Sequence, residues 1–176
     1  MMVSVVISSS GKTPILNRCL NSIKTQKSLA EIEIKISKYG NFPQRIKMLN
    51  EALGTIVIFL DEDTLLKDPE FIQRVMALVK KNPKMKIFGG LYEDHPEGLW
   101  SDRAYNFICN MWVLMAARPV STEIFQTKQL LGGCIVVNKE NLDLGGIFDP
   151  PFWGGEDTFF FRQARLKEFL YTFHPK

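Results

Sequence analysis

Four short, apolar, β-rich runs alternate with three longer stretches of helical periodicity in the first half of the chain. This alternation restricts the fold more than any other feature. The strand-like runs are "VSVVIS" (3–8), "EIEIKIS" (31–37), "TIVIFL" (55–60) and "KIFGGLY" (86–92). Between them, "TPILNRCLNSIKTQ" (13–26) carries Ile15, Leu16, Cys19, Leu20 and Ile23 on one stripe, with Pro14 near its first helical position. "PQRIKMLNEALG" (43–54) reads as a helix closed by Gly54, and "DPEFIQRVMALVKK" (68–81) as one that opens on Asp-Pro and ends in Lys. A β-α-β-α-β-α-β order predicts an α/β domain with a mostly parallel central sheet and helices on both faces. In such sheets ligands sit beyond the carboxyl ends of the strands. Two chemically suggestive segments, "SSSGK" (8–12) and "DED" (61–63), fall there.

The 176 residues suffice for one self-sufficient core, so the expectation is a single domain over 1–176. Residues 1–92 would form a nucleotide-binding half and 93–176 an acceptor and catalytic half. A net charge of +3, with Lys and Arg scattered, is too mild to argue for nucleic acid. It suits an anionic ligand or an anionic membrane surface. Cys19, Cys109 and Cys134 have no metal or redox spacing and sit among apolar neighbours, which predicts buried, reduced thiols and a cytoplasmic setting. The start "MMVSVVISSSGK" lacks a basic n-region, and its apolar run is too short for a signal peptide. "AYNFICNMWVLMAA" (104–117) is too short to span a bilayer.

Beyond residue 92 the pattern loosens. Residues 99–117 read as a helix rich in aromatics and Met, suited to core packing or to an interfacial or partner face. "LLGGCIVVN" (130–138) is a Gly-fronted strand, "KENLDLGG" (139–146) a short helix and "FDPPFWGGED" (148–157) a stiff loop. "TFFFRQARLKEF" (158–169) is helical, and "LYTFH" (170–174) is a candidate last strand.

"SSSGKTP" resembles the end of a phosphate-binding P-loop, but the match stops at three residues. The motif needs a Gly five positions before the Gly of Gly-Lys, where this chain has Val6 in mid-strand. Pro14 also removes a donor that the following helix would need. A P-loop NTPase remains a distant alternative, and Gly-Lys-Thr reads as a bend into a proline-started helix.

Asp61, Glu62 and Asp63 lie where a buried strand leaves the sheet. They are either a solvated acidic turn or hard carboxylates for Mg²⁺ or Mn²⁺ beside a diphosphate. In "GGIFDPPFWGGEDTFFFR" (145–162), prolines and glycines stiffen a loop that presents Trp153, then Glu156 and Asp157 at a helix start. The two acids fit a helix cap or a catalytic pair. Trp153 fits a sugar platform or inward packing.

The order and spacing of these blocks resemble the family 2 glycosyltransferases with the GT-A fold. "VSVVISSSGKTPILNRCLNSIKTQ" is similar to the family opening, "RIKMLNEALGTIVIFLDEDTLL" to its acidic-pair segment, and "LLGGCIVVNKENLDLGGIFDPPFWGGEDTFFFR" to its glycine and Glu-Asp segments. The resemblance runs from about residue 3 to residue 175. It implies an inverting transfer of a sugar from a nucleoside-diphosphate sugar to an acceptor hydroxyl, with Mn²⁺ or Mg²⁺, in polysaccharide or glycan assembly. It implies that Ser8, Ser9 and Ser10 line the base and ribose pocket, joined on the donor side by Arg45, Asp61, Glu62, Gly132 and Gly133. Asp63, with Asp61, would hold the metal; Asp157 would be the general base, with Glu156 the other candidate. Trp153 and Gly155 would face a carbohydrate or lipid-linked acceptor, which allows peripheral contact at the inner face of a membrane.

The chain departs from the family pattern in three places. Ser37 and Lys38 replace the acids that follow the second strand, which leaves the donor base open. His174 lies only 17 residues past Asp157, nearer than the family's metal-binding His, and reads as a surface residue, as does His95. "RQARLKEF" is not the motif of processive synthases. These departures keep open a second reading, a sugar-nucleotide-binding domain with little or no turnover that works with a partner.

Overall fold

The computed structural model describes residues 2–11, 13–38, 42–83, 85–94, 98–115, 117–120, 124–127, 130–140 and 170–173. Their elements run β1 (Met2–Ser9), α1 (Pro14–Lys24), β2 (Glu31–Lys38), α2 (Phe42–Glu51), β3 (Ile56–Asp61), α3 (Phe71–Lys81), β4 (Ile87–Gly90) and α4 (Trp100–Met115). Then come β5 (Arg118–Pro119), β6 (Ile124–Thr127), β7 (Cys134–Asn138) and β8 (Leu170–Phe173). All eight strands enter one sheet in the order β2-β1-β3-β7-β4-β8-β6-β5.

β1 pairs in parallel with β2 and β3, and β4 with β8. β7 is wedged antiparallel between β3 and β4, and β6 lies antiparallel between β8 and β5. Among the described residues, therefore, only β6 and β7 run against the common direction, as a mostly parallel sheet requires. The wedge matters for function, because it brings the start of β7 to the same edge as the ends of β1, β3 and β4.

Alternating residues of the central strands face two helical layers. Val3, Val5 and Ile7, with Ile56, Ile58 and Leu60, pack against Leu16, Cys19 and Ile23 of α1 and Ile72 and Val75 of α3. Val6, Val57, Phe59, Ile135 and Val137 pack against Leu49 of α2 and Ala52 just after it. Burial on both faces is why these strands read as continuous apolar runs. α1 starts as expected: Thr13 caps it through Leu16 N, Pro14 follows, and Gly11 takes a φ of 151°, a conformation open to glycine. α3 starts three residues later than the sequence predicts. Asp68 accepts from Glu70 N through its side chain and from Phe71 N through its carbonyl, so Asp68 and Pro69 form a turn ahead of the helix. β5 and β6 were not foreseen. The segments 139–146 and 148–169, expected as helix, loop and helix, lie outside the described residues except for 139 and 140. No described helix is long and apolar enough to cross a membrane.

A polar latch closes the sheet edge remote from the ligand end. Ser4 Oγ donates to Glu33, Leu53 N donates to the same carboxylate, and Gly54 N donates to Ser4 Oγ. Gly54 has no alternative here, since a Cβ would stand 2.7 Å from Ser4 N and 2.8 Å from Met2 O. Burial works to raise the Glu33 pKa, but the bonds from Ser4 and Leu53 and the charge of Lys35 outweigh it and hold the carboxyl below its ordinary value. A depressed carboxylate adds stability that is fully present above the unfolded-state pKa and is lost as pH falls through the folded one. Urea midpoints should therefore decline below about pH 4.5, near the ordinary glutamate value. Glu33→Gln should flatten that decline; an unchanged acid limb would exclude Glu33 as its source.

Candidate functional site

The sheet register sets Ser8, Ser37 and Asp61 side by side at the carboxyl ends of β1, β2 and β3. They share the face covered by α2, and Arg45 of that helix reaches down to Asp61. Its Nη2 donates to Asp61 Oδ1 at 2.9 Å, and Arg45 is only 6% exposed. The pair is therefore not an exposed surface salt bridge, since its guanidinium lies inside the protein. Ser8 Oγ and Ser37 Oγ are buried beside this pair with no hydrogen-bond partner among the described residues. Two unsatisfied hydroxyls next to an ion pair are an energetic liability in a finished core and an asset where a polar group or water completes the site.

Glu62 points to the other side of β3 and gathers the loop between β1 and α1. Its carboxylate accepts from Ser9 Oγ at 2.7 Å, Ser10 Oγ at 2.9 Å and Thr13 Oγ1 at 3.2 Å, while its own N donates to Ser8 O. The hydroxyl bonds, that of Ser9 foremost, hold its carboxyl below the ordinary value. Ser9 and Ser10 therefore spend their hydroxyls on Glu62, and of the three serines only Ser8 keeps an unengaged one. Glu62 thereby fixes the loop between β1 and α1 at the carboxyl end of the sheet.

Thr64 N donates to Asp61 O at 3.0 Å and closes a turn over Glu62 and Asp63. The turn sends Asp63 into solvent with no hydrogen bond or ion pair among the described residues. The acidic run thus splits three ways: Asp61 to Arg45, Glu62 to the loop, Asp63 outward. Among the described residues no group of three or more potential ligands gathers around one point. A hard divalent cation that keeps its waters and shares substrate phosphates needs only one or two protein carboxylates, a demand that the exposed Asp63 fits by itself, while Asp61 is turned to Arg45.

Gly132 and Gly133 lie in the turn that leads into β7. Gly133 O accepts from Asp61 N at 3.1 Å, and Gly133 N donates to Tyr92 Oη at 3.2 Å. A Cβ on Gly133 would stand 2.9 Å from Tyr92 Oη and 3.0 Å from Thr64 Oγ1. A side chain here would displace the Tyr92 and Thr64 hydroxyls whether or not a ligand approaches. Tyr92 was missed from the sequence, although it follows β4 at the same edge that drew attention to the serines and the acids. Burial pushes its hydroxyl up to about 12, with Asp61 adding to the shift, so it is a neutral hydrogen-bonding group at any physiological pH. Asn110 of α4 pins the Tyr92 backbone, accepting from its N at 2.9 Å and donating to its O at 2.8 Å.

Cys19 and Cys134 lie under this cluster as free thiols. Burial, then the nearby acids, push Cys19 up to about 11, and burial with Asp61 pushes Cys134 up to about 12. Both are inert packing thiols, but of the three cysteines expected to be buried only Cys19 is fully so, Cys109 and Cys134 being half-buried. Trp153, Gly155, Glu156 and Asp157 lie outside the described residues, as do Lys12, His95 and His174 and the side chain of Lys38.

No family model matches the chain, and no curated protein matches it. Solved structures do. S. aureus TarS superposes with a TM-score of 0.67 at 14% identity, over 100% of this chain and 36% of that one. A mannosyltransferase from Pyrobaculum calidifontis, PcManGT, in complex with GDP-Man and Mn²⁺, superposes with a TM-score of 0.65 at 14% identity, over 98% of this chain and 54% of that one. The chain has the GT-A-like fold of glycosyltransferases. Protein A197 from STIV also matches, with a TM-score of 0.57 at 20% identity, over 99% of this chain and 82% of that one. The chain thus spans about a third of TarS and about half of PcManGT. In the GT-A-like fold, the cluster of Ser8, Asp61, Tyr92 and Gly133 occupies the carboxyl edge of the sheet, where a doubly wound α/β domain takes its ligand.

Proposed function

We propose that the chain is a single-domain, metal-assisted, inverting glycosyltransferase that takes its sugar from a nucleoside-diphosphate donor and serves polysaccharide or glycan assembly. What carries the reading is the meeting of five chain segments at one sheet edge. Ser8 and Ser37 offer unengaged hydroxyls there, Arg45 and Asp61 a fixed ion pair, Asp63 an open carboxylate and Tyr92 a neutral hydroxyl. In this reading Asp63, with Asp61, holds Mn²⁺ or Mg²⁺, which neutralises charge on the departing diphosphate. Ser8, Arg45 and the loop fixed by Glu62 serve the nucleotide, and Gly132 and Gly133 border the sugar. Asp157, or Glu156, takes the proton of an acceptor hydroxyl on the Trp153 and Gly155 side.

The second reading, a sugar-nucleotide-binding domain without turnover, draws on one observation. Asp61 and Glu62 already have protein partners, which leaves Asp63 alone to meet a cation. A thermal-shift screen of nucleoside diphosphates, with and without Mn²⁺, tests what both readings share. One base is expected to raise the melting temperature, more strongly with metal, through binding to the folded state alone. If no diphosphate shifts the transition, the donor site is refuted.

A further inference from the structure

The outward face of α4 is the least expected surface of the molecule. With 100° of turn per residue, Trp100, Phe107, Ile108, Met111, Trp112 and Met115 fall on one arc of about 140°. All six are exposed: Trp100 at one end by 82%, Met115 at the other by 80%, and even Met111, the least open, by 42%. The opposite face is the anchored one, and it is largely polar. Val113 is buried there, Asn110 holds the Tyr92 backbone, and Asn106 donates to Asp94 at 3.1 Å. The helix therefore turns its amides inward and its aromatics outward, the reverse of an ordinary surface helix.

We infer that this face of α4 is a homodimer interface, in which two copies of the chain pack their α4 helices antiparallel about a two-fold axis near Phe107 and Ile108. Area supports it. Allowing about 200 Å² for each of these large side chains, aromatic and aliphatic alike, the exposed parts of the six residues amount to roughly 800 Å². A stable complex buries about 800 Å² per partner, and the largest apolar patch on an ordinary monomer is about 300–600 Å². Composition supports it as well, since the arc has no charged residue, like the core of an interface and unlike its rim. A two-fold axis across the helices makes them antiparallel, an arrangement in which their dipoles attract.

A bilayer is the poorer occupant. Helices that lie in a lipid interface carry Lys and Arg on the polar face, whereas the charged residues of α4 are Asp102 and Arg103 alone, which cancel. Pairing through β5 is also poor, for that strand has two residues and one of them is Pro119.

Light scattering after size exclusion should give the full chain twice its monomer mass of 20.2 kDa. Phe107→Glu with Trp112→Glu should give the monomer mass with an unchanged far-ultraviolet spectrum, the dissociation constant rising at least ~100-fold. In a Cys109→Ser background, Ile108→Cys should cross-link to its own copy on oxidation, being near the axis, and Trp100→Cys should not. A wild-type chain that stays monomeric at every concentration overturns the inference. So does a dimer that survives the double substitution, or self-linkage through Trp100→Cys in place of Ile108→Cys. A monomer that floats with phosphatidylcholine vesicles, and loses this with Phe107→Glu and Trp112→Glu, would assign the face to lipid instead.

Discussion

Asp157→Asn should lower the rate of sugar transfer by about 10²–10⁴-fold while leaving donor binding intact. The chemistry dictates both halves of that expectation. An acceptor hydroxyl is a poor nucleophile until its proton leaves, and attack from the face opposite the diphosphate needs a base on that side. Asn matches Asp in shape and still accepts a hydrogen bond, but it takes no proton. A loss of kcat with an unchanged thermal shift by the nucleoside diphosphate would therefore isolate proton transfer. Glu156→Gln provides the comparison, because the two acids are adjacent in "GGED" and only one can be the base. If Glu156→Gln shows the large loss and Asp157→Asn does not, the roles are exchanged. If neither variant loses activity, the acids are a helix cap and the base lies elsewhere. A wild-type chain that binds a diphosphate but transfers to no acceptor would support the binding-domain reading.

The parts of the fold that follow from local periodicity were legible in the sequence. The central strands are buried on both faces and so read as unbroken apolar runs, while α1 and α3 each expose one face and so read as stripes. Strand order was not legible, since nothing local in "CIVVN" says that it slips antiparallel between β3 and β4. β5 and β6 were missed for a related reason. They are two and four residues long, and what keeps them in the sheet is the pairing of β6 with β8, far along the chain.

The candidate site was legible in the strand ends that the structure brings together and illegible in how their side chains divide, while Trp153, Gly155, Glu156 and Asp157 lie outside the described residues. Strand ends rich in Ser and Asp mark a ligand edge in any α/β sheet, but three consecutive acids do not announce three different tasks. β3 ends at Asp61, and the turn that follows distributes the side chains: one faces α2, one the β1–α1 loop, one solvent. Tyr92 was invisible because its importance lies in the space it takes from Gly133. That contact joins residues 41 apart in the chain, and Asn110 completes it from a third element. The exposed arc of α4 had a sequence signal in its Met and Trp content, which was open between core packing and a partner face. Only its exposure separates the two.

Asp61→Ala should destabilise the fold by about 2–3 kcal/mol, more than its own exposure suggests. Arg45 carries its charge almost wholly inside the protein, and removing a partner from a buried pair typically costs ~3–5 kcal/mol because the remaining ion is uncompensated. One feature lowers the figure here. The Asp61 side chain is 38% exposed, so water can enter where the carboxylate was. Asp61→Asn keeps an oxygen at Oδ1 for Arg45 Nη2 and should lose no more than about half as much. Arg45→Met removes the buried charge together with its need for a partner. A double-mutant cycle with Asp61→Ala should accordingly show a coupling of at least about 1 kcal/mol, read from urea midpoints at constant m-value. The same substitutions separate structure from chemistry. Stability restored in the Arg45→Met, Asp61→Ala double variant without the metal-dependent thermal shift would mean that the pair serves the donor as well as the fold. A cycle with no coupling would mean that the Arg45 charge is balanced elsewhere, and the ion pair would then not be what holds α2 over the ends of β1 and β3.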